Sequence, residues 1–416
     1  MSTEEEKALP SNIAAAPLAG LKVLDFATVV LGPTTTRHLA DYGATVLKIE
    51  SAVHPDTIRV SIPYAGGQPG IDRSVYFAPY NSGKMSIALN LNLPKAREIA
   101  NRLVAWADLV VESFTPRVMR GWGLGYEDLR KIRPDLIMAS TCLQGQNGPH
   151  SSLRGYGQSP SGLVGWYELT GWPDGLPVGP YSAYSDFIDW NYLLASILAA
   201  LDYRRRTGLG QYIDQSQYES ALQFAAPALL DYAVNGRLAS RMGNRDHRAV
   251  PHGCYPCQGD DRWCVIAVFT EEEWQNLCMV MGHLDFLHDP RFATYQARMA
   301  HQNELDCLIS EWTSLFPARA VMETMQSVGI AAGAVAKAED LFRDPQLQHR
   351  NHFVKLEHSE IGSYSCMTSS FKLSATPGFP AGPSPCLGEH TEYICREILH
   401  LDDDELADLI AEEVFT

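Results

Sequence analysis

From Leu21 to Phe26 the chain reads Leu-Lys-Val-Leu-Asp-Phe, a short apolar run that predicts a strand, followed by a turn through Gly32-Pro33. Thr34 to Tyr42 carries helical spacing, Gly43 closes it, and Ala44-Thr-Val-Leu-Lys-Ile-Glu50 predicts a second strand. Strand, helix and strand within about 30 residues make a βαβ unit, the building block of a parallel sheet. The pattern recurs. Pro94, tolerated in a first helical turn, opens a helix through Arg97, Ile99, Leu103 and Ala107, and Leu109–Glu112 follows as a strand. A short helix at Glu127–Arg133 is stopped by Pro134, and Asp135–Ser140 is the next strand. Asn191–Arg206 predicts a long helix with an apolar stripe of Leu194, Ile197, Leu198 and Leu201, closed by Gly208 and Gly210. Gln211–Asp214 then reads as a strand and Ser220–Asn235 as a helix, so the first half is α/β.

The stretch from Leu143 to Pro180 is rich in Gly, Pro, Ser and aromatic residues without a period, which predicts a site-lining segment rather than a linker. Around Gly236 to Pro251 the composition turns basic and turn-rich (Arg237, Arg241, Arg245, Arg248), marking a domain boundary. A smaller α+β unit follows, with a strand at Arg262–Val268, a helix at Glu271–Gly282, and helices near His301–Phe316 and Ala318–Val328. After Gly333 the chain reads as irregular until an acidic amphipathic helix at Asp402–Glu413. The predicted organisation is a tail at 1–16, a large domain at 17–235, a small domain at 236–333 and a C-terminal segment at 334–416.

Composition narrows the function. The 416 residues are 45% hydrophobic and hold 33 basic against 49 acidic side chains, a formal charge of −16, which supports a sizeable core and provides no bulk field for nucleic acid or an anionic membrane. Any polyanionic ligand needs a local basic pocket. Met1-Ser-Thr-Glu-Glu-Glu-Lys7 has no apolar core of a signal peptide, and no run approaches the roughly 18 apolar residues of a membrane span. Nine cysteines, an odd number scattered along the chain, read as reduced thiols of a cytoplasmic protein.

Three common site types are missing: a G-x-G-x-x-G after the first strand, a Walker P-loop and a G-x-S-x-G elbow. Cys254-Tyr-Pro-Cys257, near Cys264 and His252, is a lone C-x-x-C; thiols packed in a sheet explain it better than zinc, so no metal is expected. The stronger constellation is Ser185-Asp186-Phe187, placed just before the long helix. A carboxylate there is most often a helix cap. Against that reading, Tyr156, Trp166, Tyr167, Trp172, Tyr181, Tyr184, Phe187 and Trp190 form an aromatic stretch able to exclude water from one carboxylate. Asp189, three residues on, is a rival that spacing alone does not separate from Asp186.

Further motifs run through the chain: Pro17-Leu-Ala-Gly-Leu-Lys-Val-Leu-Asp25, Gly32-Pro33, Leu39-Ala-Asp-Tyr-Gly-Ala-Thr-Val-Leu-Lys-Ile-Glu50 and Asn81-Ser-Gly-Lys-Met-Ser-Ile-Ala-Leu89. Gly123-Leu-Gly-Tyr-Glu-Asp-Leu129, Gly145-Gln-Asn-Gly-Pro149, Arg206-Thr-Gly-Leu-Gly-Gln211, Asp344-Pro345 and Leu387-Gly-Glu-His390 follow. Each is weak alone; their order and spacing resemble the family III CoA-transferases, the group of formyl-CoA transferase, carnitine CoA-transferase and the α-methylacyl-CoA racemases. The resemblance implies a doubly wound, Rossmann-like large domain, a small α+β domain, a C-terminal segment returning to the large one, and two chains interlocked as a dimer. It places Asp186 on the catalytic aspartate, whereas Asp189 matches no motif position.

The implied chemistry is transfer of CoA from an acyl-CoA to a free carboxylic acid through a covalent aspartyl thioester, with no permanently bound cofactor; the CoA thioester is a substrate. CoA contacts map by resemblance to Val29, Val30 and Leu31, to Lys84 as a basic phosphate contact, and to Phe114. Four positions depart from the pattern: Ser51 and Gly121 stand where the family has Arg, Ser113 where it has Asn, and Cys142 where it has a basic residue; Arg117 or Arg120 is then the expected substitute. Tyr156, Tyr184 and Phe187 are the expected substrate-pocket rings. The racemase branch is disfavoured, because its Gly-His-Asp segment is Gly155-Tyr156-Gly157 here and the second proton base is absent. The aromatic stretch and His252-Gly-Cys-Tyr-Pro-Cys257 most resemble subunits of succinyl-CoA:(R)-benzylsuccinate CoA-transferases, a heteromeric branch of toluene breakdown. Succinyl-CoA is therefore the expected donor, and the partner chain is either a second copy or a homologous subunit. A CoA-binding subunit without catalysis is the alternative; retention of Asp186 argues against it.

Overall fold

The computed structural model describes residues 16–416, so the expected tail falls outside the described residues except for Ala16. The chain divides into two compact units: one holds the residues up to Trp166 together with Gly179–Gly236 and Gln346–Thr416, the other Tyr167–Val178 and Arg237–Pro345.

The first unit is built on a six-stranded sheet of β1 (Lys22–Asp25), β2 (Thr45–Glu50), β3 (Met85–Ala88), β4 (Leu109–Glu112), β5 (Ile137–Cys142) and β6 (Tyr212–Ser216), in the order β3-β2-β1-β4-β5-β6. Every pairing is parallel. Alternate side chains of each strand serve opposite faces. Leu24, Leu47, Ile87 and Val110 pack with Ile99 and Leu103 of helix α2 (Pro94–Trp106) and with Ile394, Cys395, Leu406 and Leu409 of the C-terminal segment. Val23, Val46, Val111 and Ala139 pack with Leu39 of helix α1 (Leu31–Asp41) and with Leu193, Ile197 and Ala200. Both faces are covered, as a parallel sheet demands. The order reverses between β1 and β4, and the crevice at the carboxyl ends of those two strands is where open α/β sheets bind ligands.

Several expectations need correction. The long helix spans Trp190–Thr207, and its buried face is Leu193, Ile197 and Ala200; Leu198 of the expected stripe is exposed. The helix expected at Ser220–Asn235 is broken into Gln217–Leu222 and Ala226–Asn235, with Pro227 opening the second piece. The region after Gly333 is not wholly irregular: Phe353–His358 and Gly362–Met367 pair as an antiparallel hairpin whose first strand buries the polar His358 and whose second, Gly-Ser-Tyr-Ser-Cys-Met, buries only Cys366, so the apolar alternation is weak.

In the second unit, His252–Pro256, Trp263–Ala267 and Ala331–Ala334 form a three-stranded antiparallel sheet packed on helices Glu271–Met281, Gln302–Thr313 and Ala318–Ser327. Cys254, Cys257 and Cys264 are free thiols, Cys254 and Cys264 on its strands and Cys257 just after the first. This unit extends beyond 236–333 at both ends. Residues 167–178 belong to it through an Arg241–Glu168 ion pair of 2.8 Å and a hydrogen bond of 2.8 Å from Gly243 N–H to Gly171 O. Residues 334–345 belong to it through Val335 N–H on Trp263 O (2.9 Å) and Arg262 on Asp340 (2.5 Å). Both tethers join residues far apart in sequence, which local composition does not reveal.

Candidate active site

The turn leaving β1 is the first wall of the site. Gly32, opening α1, packs so closely on it that an added Cβ would lie 2.3 Å from the Ala27 side chain. Val29 sits at φ +69°, left-handed backbone that a β-branched residue adopts only under constraint. The constraint is a lattice of buried charges. Asp56 accepts the Val29 N–H at 3.0 Å, Asp25 accepts Ala27 N–H at 3.0 Å, and Lys48 Nζ donates to Ala27 O at 2.8 Å. Lys48 faces Asp56 at 3.5 Å, and Arg59 pairs with Glu50 at 2.7 Å.

Lys84 belongs to this lattice, and that corrects the expectation of a phosphate contact. Its side chain is 0% exposed, with Nζ donating to Asp25 Oδ2 (2.8 Å), Pro33 O (2.9 Å) and Asn81 Oδ1 (2.9 Å). All three of its donors are used, so it is neither a solvated surface lysine nor open to a ligand.

A cavity of about 570 Å³ opens over the carboxyl ends of β1, β4 and β5. Its wall is made by Thr28–Leu31 after β1, by His54–Thr57, by Ser113–Thr115 after β4, by Thr141–Leu143 at the end of β5, by Leu153–Tyr156, and by Asp186 and Gln217. A side cavity of about 110 Å³ shares Thr28, His54, Asp56 and Phe114 with it and adds Trp122, whose ring meets Phe114 edge-on at 5.6 Å.

Of the residues singled out in the sequence, Val29, Val30, Leu31, Phe114, Tyr156 and Asp186 line this cavity. Arg117 and Arg120 do not; both are exposed on the helical turn just beyond Thr115. Tyr184 and Phe187 also lie off its wall, Tyr184 against Trp166 at 5.5 Å and Phe187 against Tyr80 at 6.4 Å. The aromatic stretch therefore does not assemble as one wall: Trp172 is part of the second unit, and Tyr181 is 90% exposed. Ser51, which stands where Arg was expected, donates to the Thr416 carbonyl at 2.8 Å. Sequence reasoning passed over Arg154 and His54, basic groups on the cavity wall, and Gln217, which carries no motif signal.

Two carboxylates line the cavity. Asp56 is committed to Lys48 and to the N–H groups of Val29 and Ile58. Asp186 pairs with no cation among the described residues. It lies in the first turn of a short helix, Tyr184–Ile188, and is 6% exposed. It is not a cap: its oxygens are held from outside the helix, Oδ2 by Gly157 N–H at 3.1 Å and Oδ1 by Gln217 Nε2 at 2.5 Å. Gly157 has to be glycine, because a Cβ there would fall 2.6 Å from Ala183 O and 2.8 Å from Asp186 N. Ser185 Oγ ties the assembly together, donating to Gly157 O (3.0 Å) and accepting from Gln217 (3.0 Å). Burial pushes the Asp186 carboxyl above its usual range, and the bonds from Gln217 and Gly157 draw it partly back. Its charge also acts on Tyr76 and Tyr80.

The rival, Asp189, is a different object. It is 0% exposed, is absent from the cavity wall, and has no hydrogen-bond partner on either oxygen among the described residues. Burial, reinforced by the charge of Asp186, pushes it up to about 8.

Fold and cavity together define an α/β protein with a cavity at the switch point of a parallel sheet, beside one carboxylate that pairs with no cation among the described residues. Its family follows from comparison: the chain belongs to CoA-transferase family III, whose profile matches residues 18–391, and, with relatives along nearly its whole length named as CoA-transferases, it is an acyl-CoA:carboxylate CoA-transferase. It is similar to the succinyl-CoA–D-citramalate CoA-transferase of Chloroflexus aurantiacus, with 32% identity covering 96% of this chain and 98% of that one. The succinate–glutarate CoA-transferase of Agrobacterium fabrum is 33% identical over 92% of this chain and 96% of its own. Among solved structures, a CaiB/BaiF family protein from Brucella suis superposes with a TM-score of 0.84 at 30% identity, covering 92% of this chain and 100% of that chain.

Proposed function

We propose that this chain moves CoA from succinyl-CoA to a small dicarboxylic acid through a covalent thioester on Asp186. The observation that carries this reading is the Asp186 carboxylate itself: on the cavity wall, nearly dry, gripped at both oxygens and, among the described residues, paired with no cation. A group so placed is poorly solvated and therefore reactive.

An Asp186 oxygen attacks the donor thioester carbonyl, the C–S bond breaks, and CoA leaves as the thiolate, a leaving group with a thiol pKa of about 8.5. The thiolate attacks Cγ of the resulting anhydride, the bond from Cγ to the bridging oxygen breaks, and the donor acid departs. The acceptor carboxylate then attacks the aspartyl thioester and the same steps run in reverse. The 570 Å³ cavity takes the pantetheine arm along Val29–Leu31 and Phe114, with Arg154 and His54 toward the phosphates and Arg117 and Arg120 as further contacts from the neighbouring turn.

The donor is supported by relatives named for succinyl-CoA or succinate. For the acceptor, a small dicarboxylate is favoured over benzylsuccinate, because Phe114 and Tyr156 are the phenyl and phenol rings on the wall and the other aromatic residues turn elsewhere. The chain works as a dimer, either with itself or with a homologous subunit; one relative is named as a beta subunit of a succinyl-CoA–L-malate CoA-transferase. The helix Ala226–Asn235 supports this, since it buries none of its own residues and leaves Leu230 63% and Val234 78% exposed. All nine cysteines are free thiols, which supports a reducing, cytoplasmic setting, and no helix among the described residues is long and apolar enough to cross a membrane.

The test is to trap the intermediate. After incubation with succinyl-CoA and quenching with hydroxylamine, peptide mass spectrometry should find the hydroxamate on Asp186. An unmodified Asp186 peptide in a preparation that turns over would overturn the reading. A panel of free acids with succinyl-CoA then identifies the acceptor.

A further inference from the structure

The two oxygens of Asp186 are held by different kinds of donor, and the difference has a chemical meaning. Oδ2 is pinned by a backbone N–H whose residue, Gly157, is wedged against the Tyr184–Ile188 helix and does not line the cavity. Oδ1 is held by the side-chain amide of Gln217, which lines the cavity together with Asp186. Gln217 is 4% exposed, at the start of the helix that follows β6, and its Nε2 is aimed by a second bond to Ser185 Oγ.

We propose that Gln217 is a catalytic residue: it presents Oδ1 of Asp186 as the attacking oxygen and donates its N–H to that oxygen when it departs with the donor acid. The inference rests on Asp186 being the nucleophile. Oδ1 forms the new bond to the acyl carbon as the C–S bond breaks and CoA thiolate leaves. When the thiolate attacks Cγ, the π pair moves onto Oδ2, where the Gly157 N–H meets the developing oxyanion. Collapse restores the Cγ–Oδ2 double bond and breaks the Cγ–Oδ1 bond, so Oδ1 leaves as a carboxylate oxygen of the released acid. In the anhydride Oδ1 is neutral and a poor acceptor; as it departs it becomes charged, and the Gln217 bond strengthens at that moment. An interaction that grows toward the transition state accelerates the step. In the free enzyme the same bond also favours the ionised carboxylate against its burial. Among the described residues, Asp189, Tyr76 and Tyr80 are coupled to Asp186 and none carries a positive charge; Arg154 and His54 share the cavity wall but neither forms an ion pair with it.

The experiment compares Gln217→Met, Gln217→Glu and Asp186→Asn with the parent enzyme, using succinyl-CoA and the acid that the panel identifies. Removing one such donor costs about 10²–10³-fold in kcat. Gln217→Met is expected to lose about that much, to keep KM for succinyl-CoA within about threefold, and to move the acid limb of the pH–kcat profile upward. Gln217→Glu keeps the shape but puts a second carboxylate on Oδ1, and its acid limb should move further in the same direction. A Gln217→Met enzyme with kcat within about twofold of the parent, or either variant with an unmoved acid limb, overturns the role of Gln217. Turnover surviving in Asp186→Asn would instead sink the nucleophile reading itself.

Discussion

The same unit buries two groups of ionisable side chains, and they are built on opposite plans. Under the turn after β1, Asp25, Lys48, Glu50, Asp56, Arg59 and Lys84 interleave opposite charges, with contacts of 2.8 Å for Asp25–Lys84 and 2.7 Å for Glu50–Arg59. Asp186, on the cavity wall, and Asp189, buried just after it in sequence, share a short stretch of chain, and among the described residues no cation is paired to either. In the first group, burial alone would raise Asp25 and Glu50, yet Lys84 and Arg59 hold both below their usual range; Asp56, where burial outweighs Lys48 at 3.5 Å and Glu50 lies nearby, is the exception and rises. In the second, no cation answers burial and both carboxyls rise, Asp186 drawn only partly back by its bonds from Gln217 and Gly157. The paired lattice fixes backbone. The unpaired corner keeps a reactive oxygen, and the difference separates scaffold from chemistry more sharply than burial does.

The largest expected effect lies in the unpaired corner. Asp186→Asn keeps the shape and the contact with Gly157 but removes the nucleophile, so turnover should fall to background while the thermal midpoint holds or rises. A steady-state assay beside a melting curve checks both halves. A melting point several degrees below the parent would assign Asp186 to the scaffold and erase the contrast.

Next in size is the opposite result from the lattice. Lys84→Met leaves Asp25 buried without its closest cation, and breaking a buried pair from one side costs about 3–5 kcal/mol. Urea unfolding should show that loss. Because Lys84 does not line the cavity that holds Asp186, whatever folded enzyme remains should keep its KM for the CoA thioester within about threefold. A raised KM with unchanged stability would return Lys84 to the phosphate role that resemblance implied.

How much of this contrast was readable beforehand depended on the range of each interaction. The strands at Leu21–Phe26 and Ala44–Glu50 and the helices at Thr34–Tyr42 and Pro94–Ala107 were legible because hydrophobic periodicity and a Pro at a helix start are local signals, whereas β3 at Met85–Ala88 went unpredicted as a strand; Asp186 emerged from motif order. Lys84 was misplaced because its partner lies 59 residues away, and a single lysine before a strand looks the same whether buried or solvated. Gln217 was invisible for a similar reason: its meaning comes from meeting Asp186 across 31 residues. The Phe353–Met367 hairpin was lost because its buried side carries His358 and, on the second strand, only Cys366, too few apolar positions to show a period of two.

A third effect distinguishes the two groups by pH. Asp189 holds its proton in the folded chain up to about 8, whereas unfolded it ionises near 4. Between those values the unfolded state binds fewer protons, so this residue's contribution to stability falls as pH rises through the window and levels off above it. Asp25 and Glu50 run the other way: their depressed values give stability that is present above the unfolded range and lost only as pH drops through the lower folded values. Asp189→Asn should therefore match the parent near pH 4 and exceed it at pH 8 by on the order of a few kcal/mol, flattening the decline on the alkaline side. Parallel stability–pH curves for the two proteins would show that Asp189 is not buried as a neutral acid.

The smallest effect tests what the lattice is for. Val29 is held at φ +69°, and such a conformation costs a β-branched residue about 1–3 kcal/mol. Glycine takes that backbone freely but loses about 0.5–1 kcal/mol through the unfolded chain. Val29→Gly should thus change stability by only about 1 kcal/mol, on the side of a gain. Its side chain, however, lines the cavity next to Val30, and the turn it stiffens faces Ser113 through the Thr28 N–H at 2.9 Å. If the buried charges exist to keep this wall rigid for a ligand, the substitution should raise KM for succinyl-CoA severalfold while leaving kcat nearly untouched, the signature of lost uniform binding. A lower kcat at constant KM would mean that the turn acts on the reacting atoms, and that the lattice and the Asp186 corner are one machine rather than two.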